Sequence, residues 1–208
     1  GLNADINIRT HDIATLGLWG PKAQKALGNF IDPNEINIEN FPFVSAKNLT
    51  LNLSGGKKID VWAARISYVG ESGWEIYLNN NSEDGLALYD SLLEVGVVPV
   101  GIETYANSRR LEKSFRLQGA DLETEYNAIE AAIQRPLVKE SDFHGKAAHL
   151  SHREEDPCAV LCTMTLDELN VSGKTRYPVG ISPIVDPATG EVPIDSKGRR
   201  SYTTGMSY

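Results

Sequence analysis

The sequence has little cysteine, and this excludes two classes of protein. Cys158 and Cys162 are the only cysteines among 208 residues, so the chain is not a disulfide-rich secreted scaffold. Two thiols alone do not complete the four-ligand set of a structural zinc site, and we expect no metal. Because they stand four positions apart in a predicted strand, we expect both on one face, as small core residues of a protein from a reducing compartment.

Basic charge and long apolar runs are also scarce. The chain has 28 acidic residues against 20 lysines and arginines, a net charge of −8, and such a field argues against a nucleic-acid partner. No apolar run approaches the ~18 to 20 residues of a membrane span, and the first residues lack the pattern of a secretion leader. We therefore expect a cytoplasmic protein with no membrane partner. The start at Gly1 and the stop inside a predicted strand suggest truncation at both ends.

The segment 65–77 has the pattern of a strand, a turn and a second strand. Ile66 and Tyr68, then Trp74 and Ile76, alternate with polar neighbours, which is the period of a half-buried strand. Glycines at 70 and 73 bracket the reversal and place Glu71 at the tip of a hairpin. Glu71 is either a solvated turn residue or a carboxylate that accepts two hydrogen bonds from a planar N–H donor such as a pterin.

A second segment concentrates positive charge in this acidic chain. Arg109, Arg110, Lys113 and Arg116 fall within a few positions at the end of a predicted helix, where a helix favours cations. The cluster is either an anion-binding surface or a solvated basic face paired with neighbouring glutamates.

The order of predicted elements is β-α-β-β-β-α-β-α, which favours an α+β fold with an antiparallel sheet flanked by helices. Predicted strands cover 13–19, 41–53, 59–68, 74–78 and 97–100, and predicted helices begin near 21, 82, 101 and 142. After 151–157, a polar segment, short strands and strong turns predict the start of a small β-barrel that the chain does not finish. We expect two domains, 1–150 and 151–208.

Several segments resemble the aminomethyltransferase family, the T-protein of the glycine cleavage system, and in particular the folate domains fused to dimethylglycine and sarcosine dehydrogenases. The segment beginning at Ser67 resembles the family's S-Y-x-G-E-x-G-W-E, and 108–121 resembles S-L-R-L-E-K-G-Y-R-x-W-G-x-D. Further segments match in the family's order: 17–23, 126–132, 142–148 and 200–205. The resemblance therefore extends over essentially the whole chain.

The resemblance implies a ferredoxin-like central domain and a tetrahydrofolate site. In the family, the glutamate matching Glu71 holds the pterin ring, and the arginine matching Arg110 helps to bind the tail carboxylates. Tyr68 and Trp74 are candidates to pack on the ring. FAD is expected only in a fused or partner region outside these residues.

The resemblance also leaves the catalytic residue unknown. The family's catalytic aspartate precedes the matched region and no residue here corresponds to it, so we expect the 208 residues alone to be inactive. The expected partners are folate, a small amine donor and either a fused flavin oxidoreductase domain or a separate protein. The function expected is transfer of a one-carbon unit to tetrahydrofolate. O- or S-demethylation on the same scaffold and a non-catalytic folate-binding module are the alternatives.

Overall fold

The computed structural model describes residues 5–8, 13–79, 82–133, 137–165, 170–171, 174–175 and 180–204. The chain divides into two compact units, Gly1–Gly101 and Ile102–Tyr208. The division falls within 1–150, and the predicted domain boundary after 150 stays a prediction.

The first unit is built on a four-stranded antiparallel sheet. Its strands are β1 (Ile13–Trp19), β2 (Ala46–Asn52), β3 (Lys58–Ala64) and β4 (Gly73–Asn79). They lie in the order β1-β4-β3-β2. The long pairing of β1 with β4 sets Leu18 opposite Trp74 and Trp19 opposite Gly73. β3 joins β4 over a shorter register, from Trp62 to Ala64.

Two helices close one face of this sheet. Helix α1 (Ala23–Leu27) and helix α2 (Ser82–Glu94) contribute Leu27 and Leu88, both without exposed surface, to the core. In β3 and β4, alternate residues such as Val61 and Ile76 point into the same cluster, as the two-residue period of a strand requires. The predicted α+β class and the β-α-β-β-β-α order are confirmed for this unit.

Three local predictions in the first unit are wrong. The predicted strand 41–53 begins only at Ala46, after a turn in which Val44 has a φ of 61°. The predicted strand 59–68 ends at Ala64, and residues 65–72 form an irregular loop instead of a tight hairpin. The chain turns after Ala64 because Ile66 N–H donates to Ala64 O at 3.0 Å, while the backbone of Arg65 bonds to Val44 and Ser45. The predicted buried strand 97–100 does not form, and Val98 is 76% exposed.

The second unit contains short elements. A π-helical segment (Thr104–Arg109) continues into helix α3 (Arg110–Glu112), which ends before Ser114, a residue with a φ of 59°. This agrees with a helix over 101–114. Helix α4 (Lys146–Glu154) begins later than the predicted start at 142, because Gly145 before it has a left-handed backbone with φ 83°.

The predicted small barrel is not confirmed in the part of the second unit that the structure describes. Strands β5 (Asn170–Val171) and β6 (Lys174–Thr175) form a two-stranded pair. Beyond them, antiparallel bridges join Pro183 to Tyr202 and Ile194 to Arg200. The strands predicted for the barrel cover 159–165, 179–184, 191–194 and 200–208, of which residues 179 and 205–208 lie outside the described residues.

Candidate functional site

The loop 65–72 holds Glu71 and is anchored at both ends. Where the loop begins, the backbone N–H of Arg65 donates to Ser45 O at 2.9 Å, and Val44 N–H donates to Arg65 O at 2.9 Å. Where it ends, Gly20 N–H donates to Ser72 O at 2.9 Å. A loop with its two ends fixed in this way loses little further freedom when a ligand binds.

The Arg65 side chain turns inward and fixes a second segment. Its guanidinium donates to Ile36 O at 3.2 Å and to Phe41 O at 2.8 Å, and it lies 5.0 Å from the ring centroid of Trp74. The residue is 6% exposed, and burial lowers the pKa of the guanidinium. Arg65 therefore binds the 36–41 connection to the start of the loop.

Glu71 and Tyr68 are the predicted site residues that this loop presents. Both are half-buried. The backbone N–H of Glu71 donates to Ser67 Oγ at 3.2 Å, and Gly70 before it has a φ of 72°, a conformation suited to glycine. These features fix the backbone at Glu71, a residue that keeps part of its surface exposed to solvent.

Trp74 does not lie at a position from which it could pack on a cofactor ring. It has no exposed surface and packs in the core, with its ring centroid 6.2 Å from that of Phe41. Its indole Nε1 has no hydrogen-bond partner among the described residues. In this arrangement Trp74 supports Arg65 from behind the loop, and direct contact with a cofactor ring is not available to it.

Arg110, predicted to bind the folate tail, lies in the second unit as a buried ion pair. Its side chain is 2% exposed and that of its partner Asp121 is 4% exposed. The guanidinium also donates to Ala106 O at 2.6 Å and to Phe115 O at 3.1 Å. Asp121 accepts a further bond from Leu117 N at 2.9 Å. The charge of Arg110 is therefore balanced inside its own unit.

Arg110 lines a cavity of about 820 Å³ within the second unit. Much of the lining is apolar, including Leu161, Met164 and Ile194. Arg116, which also lines it, donates to Ala131 O at 3.0 Å and to Ser114 O at 2.7 Å. Arg110 and Arg116 at this cavity thus have internal partners, and the surface offered is mostly apolar.

A cluster around Glu130 lies at the same cavity and was missed from the sequence. Arg199 donates to both carboxylate oxygens of Glu130, at 3.1 and 2.6 Å, and Lys197 lies 3.1 Å from Oε1. Glu130 is 2% exposed. The bond from Arg199 holds the pKa of this carboxyl at about 2, against the opposing effect of burial.

The arginine of this cluster has further partners. Arg199 Nε donates to Asp195 Oδ2 at 2.7 Å, and its guanidinium lies 4.5 Å from the ring centroid of Tyr126. The signal in the sequence was a single acidic residue, Glu130, inside an otherwise apolar run, since a carboxylate in such a run must be buried with a partner.

A model of the GCVT N-terminal domain matches residues 3–140. The chain belongs to this family. Membership of the GCVT N-terminal domain family confirms the resemblance found in the motifs, and both predicted anchor residues, Glu71 and Arg110, lie within the matched range.

Curated relatives extend the comparison. The mitochondrial dimethylglycine dehydrogenase of Homo sapiens is 37% identical over 154 residues, which cover 71% of this chain and 17% of the human protein. Aminomethyltransferases of Listeria innocua and Listeria welshimeri are 28% and 31% identical, covering 98% and 92% of this chain. The chain spans about half the length of these two relatives, 52% and 49% respectively.

Among the described residues, no group of three or more His, Cys, Asp or Glu side chains is placed to hold a metal ion. None of the helices within the described ranges is both long enough and apolar enough to cross a membrane.

Proposed function

We propose that this chain is the tetrahydrofolate-binding part of an aminomethyltransferase-like protein that transfers a one-carbon unit from an amine donor to tetrahydrofolate. Membership of the GCVT N-terminal domain family supports the folate-dependent chemistry. Relatives named aminomethyltransferase, aligned with nearly all of the chain, support the reaction class. A relative named dimethylglycine dehydrogenase supports a methylated amine as the donor, and a fused or separate flavin region as the partner stays a prediction.

The observation on which the proposal depends is the position of Glu71 on a loop that is fixed at both ends. A reduced pterin presents adjacent ring and exocyclic N–H groups, and a carboxylate accepts both in a planar, paired geometry. Glu71 is half-buried on a loop that is fixed at both ends. Tyr68, half-buried on the same loop, is proposed to flank the ring. Trp74 is proposed to act indirectly, by supporting Arg65.

Within this chain the proposed chemistry is positioning. Bound tetrahydrofolate would supply the nucleophilic nitrogen that accepts the one-carbon unit. Glu71 would set the rotation of the pterin, and an anchored loop would limit its movement. The residue that handles the proton at the reacting nitrogen is not identified among these residues.

The proposal is tested by tetrahydrofolate titration of the protein that contains this chain. Glu71→Gln keeps the shape but replaces one acceptor oxygen with a donor, so affinity should fall about ten- to hundredfold, since a hydrogen bond to a charged group contributes about 1.5–3 kcal/mol. Glu39→Gln, at an exposed position of the same unit, should leave affinity unchanged. Unchanged affinity in Glu71→Gln would refute the pterin role.

The tail role of Arg110 is a separate proposal, because the residue lies in the other unit and its charge is already balanced. We propose that Arg110 contributes to tail recognition with a guanidinium held in place by Asp121. The measurement is the ratio of affinities for tetrahydrofolate and for a reduced pterin without a glutamyl tail. Arg110→Gln should lower this ratio, and an unchanged ratio would exclude tail recognition even if both affinities fall.

The alternative functions can be distinguished from the proposed one by the compound that donates the one-carbon unit. An O- or S-methyl donor in place of an amine would indicate a demethylase on the same scaffold, and folate binding without turnover of any donor would indicate a binding module. Product analysis with labelled methylated amines is the deciding assay. The predicted cytoplasmic location also stays a prediction, and one relative is named as mitochondrial.

A further inference from the structure

Trp19 lies at the end of β1, beside the loop that presents Glu71. We propose that Trp19 is a positioning residue for Glu71, with Gly17 as the surface on which its indole rests. Trp19 holds the loop in place, and its effect on ligand binding rests on the proposed pterin role of Glu71.

The first observation is a hydrogen bond between distant parts of the chain. The indole Nε1 of Trp19 donates to Ile66 O at 3.1 Å, near the start of the loop. The next residue, Gly20, donates its backbone N–H to Ser72 O at 2.9 Å. Two consecutive residues of one strand end therefore hold the loop on both sides of Glu71.

The second observation explains why residue 17 is glycine. A Cβ added at Gly17 would lie 2.0 Å from an indole carbon of Trp19, far inside van der Waals contact. The backbone of Gly17 is not among those with positive φ, so its conformation does not require glycine. The missing side chain instead leaves space for the indole to lie against the strand.

These contacts bear on binding because a loop must keep one shape to present a carboxylate in a fixed direction. When the bound shape is already held in the free protein, less conformational entropy is lost on binding. Loss of the Trp19 hydrogen bond should thus make residues 66–72 open more often and lower the affinity for any ligand that Glu71 holds. Opening of the core of the unit should stay unchanged.

Two variants disturb the contact in different ways. Trp19→Phe keeps an aromatic ring but removes the N–H, and Gly17→Ala keeps the N–H but displaces the ring. Trp62→Phe is the matched control, because Trp62 is 46% exposed and its ring packs on Tyr77, not on the loop. Each variant is made in the protein that contains this chain.

Hydrogen–deuterium exchange of the amides in 66–72 is the primary measurement. Both variants should speed this exchange about five- to tenfold, the effect of one hydrogen bond, with the amides of β3 and β4 unchanged. Tetrahydrofolate should bind about three- to tenfold more weakly. The Trp62→Phe control should change neither quantity.

The outcomes separate the two proposals. Unchanged exchange in 66–72, or equal acceleration throughout the unit, overturns the positioning role, because the effect is then absent or merely structural. Faster loop exchange with unchanged folate affinity overturns the link from Trp19 to ligand binding. If Glu71→Gln also leaves affinity unchanged, the pterin role itself fails, while the exchange data still decide how the loop is held.

Discussion

Replacing Glu130 by glutamine should destabilise the second unit, and the loss should depend on pH in a defined direction. The carboxylate is 2% exposed and accepts two bonds from Arg199. Glutamine keeps the volume but removes the charge that balances this arginine. The variant tests whether the cluster around Glu130 stabilises the unit through charge.

The magnitude follows from the pKa of Glu130. The pKa falls from 4.5 to about 2 in the folded chain, which corresponds to about 3 kcal/mol at neutral pH at 1.36 kcal/mol for each unit. Breaking a buried pair by removing one partner typically costs about 3–5 kcal/mol, which agrees. Glu130→Gln should therefore lower the free energy of unfolding by about 3 kcal/mol near neutral pH.

Because folding lowers the pKa of the Glu130 carboxyl, its contribution to stability should decrease as the pH falls. The stabilisation is complete above the unfolded pKa of about 4.5 and is lost as pH falls through the folded pKa of about 2. At about pH 3 some 1.4 kcal/mol should remain. The difference between the native chain and Glu130→Gln should shrink accordingly as the solution is acidified.

Urea unfolding followed by circular dichroism, at several pH values between about 7 and 3, measures this difference. Glu123→Gln is the control, since Glu123 is exposed and its replacement should change stability by less than about 0.5 kcal/mol. A difference for Glu130→Gln that stays constant across this range would refute the charge-based reasoning. A loss below about 1 kcal/mol near neutral pH would do the same.

Two further stability predictions follow from buried contacts. Gly73→Ala should lower the free energy of unfolding, measured by thermal unfolding, by about 2–4 kcal/mol, because an added Cβ would lie 1.9 Å from Leu18 O and the φ of Gly73 is 156°. Gly85→Ala, at a position with open space around it, should instead stabilise the chain by about 0.5–1 kcal/mol. Equal changes in stability for the two variants would contradict this reasoning. Arg110→Met should cost about 3–5 kcal/mol by leaving Asp121 buried without its cation, and a loss under about 1 kcal/mol, measured by urea unfolding, would show that the pair is not structural.

Local patterns in the sequence predicted the first unit well. The alternation in β1, β3 and β4 and the apolar stripe of α2 have the periods of a strand and a helix, and each depends only on neighbouring residues. The strand predicted at 97–100 does not form, and this prediction was wrong because it also used only neighbouring residues. A short apolar run does not reveal whether it has a sheet to join, and here Val98 stays exposed.

The motifs placed Glu71 on a connection between strands, and the family of the chain was evident from their order. They did not reveal that Trp74, in the same motif, is a core residue, because an alternating strand shows which residues share a face but not which face is covered. They also did not reveal that the basic residue Arg110 is balanced by Asp121.

The sequence by itself determined the family and most of the secondary structure of the first unit, while the pterin role of Glu71 stays a proposal. Only the tertiary structure decided how those residues are held. Trp19 meets Ile66 across 47 positions, and Glu130 meets Arg199 across 69. Contacts of this kind leave no periodic pattern in the chain, since they depend on how loops and strands pack after each has formed.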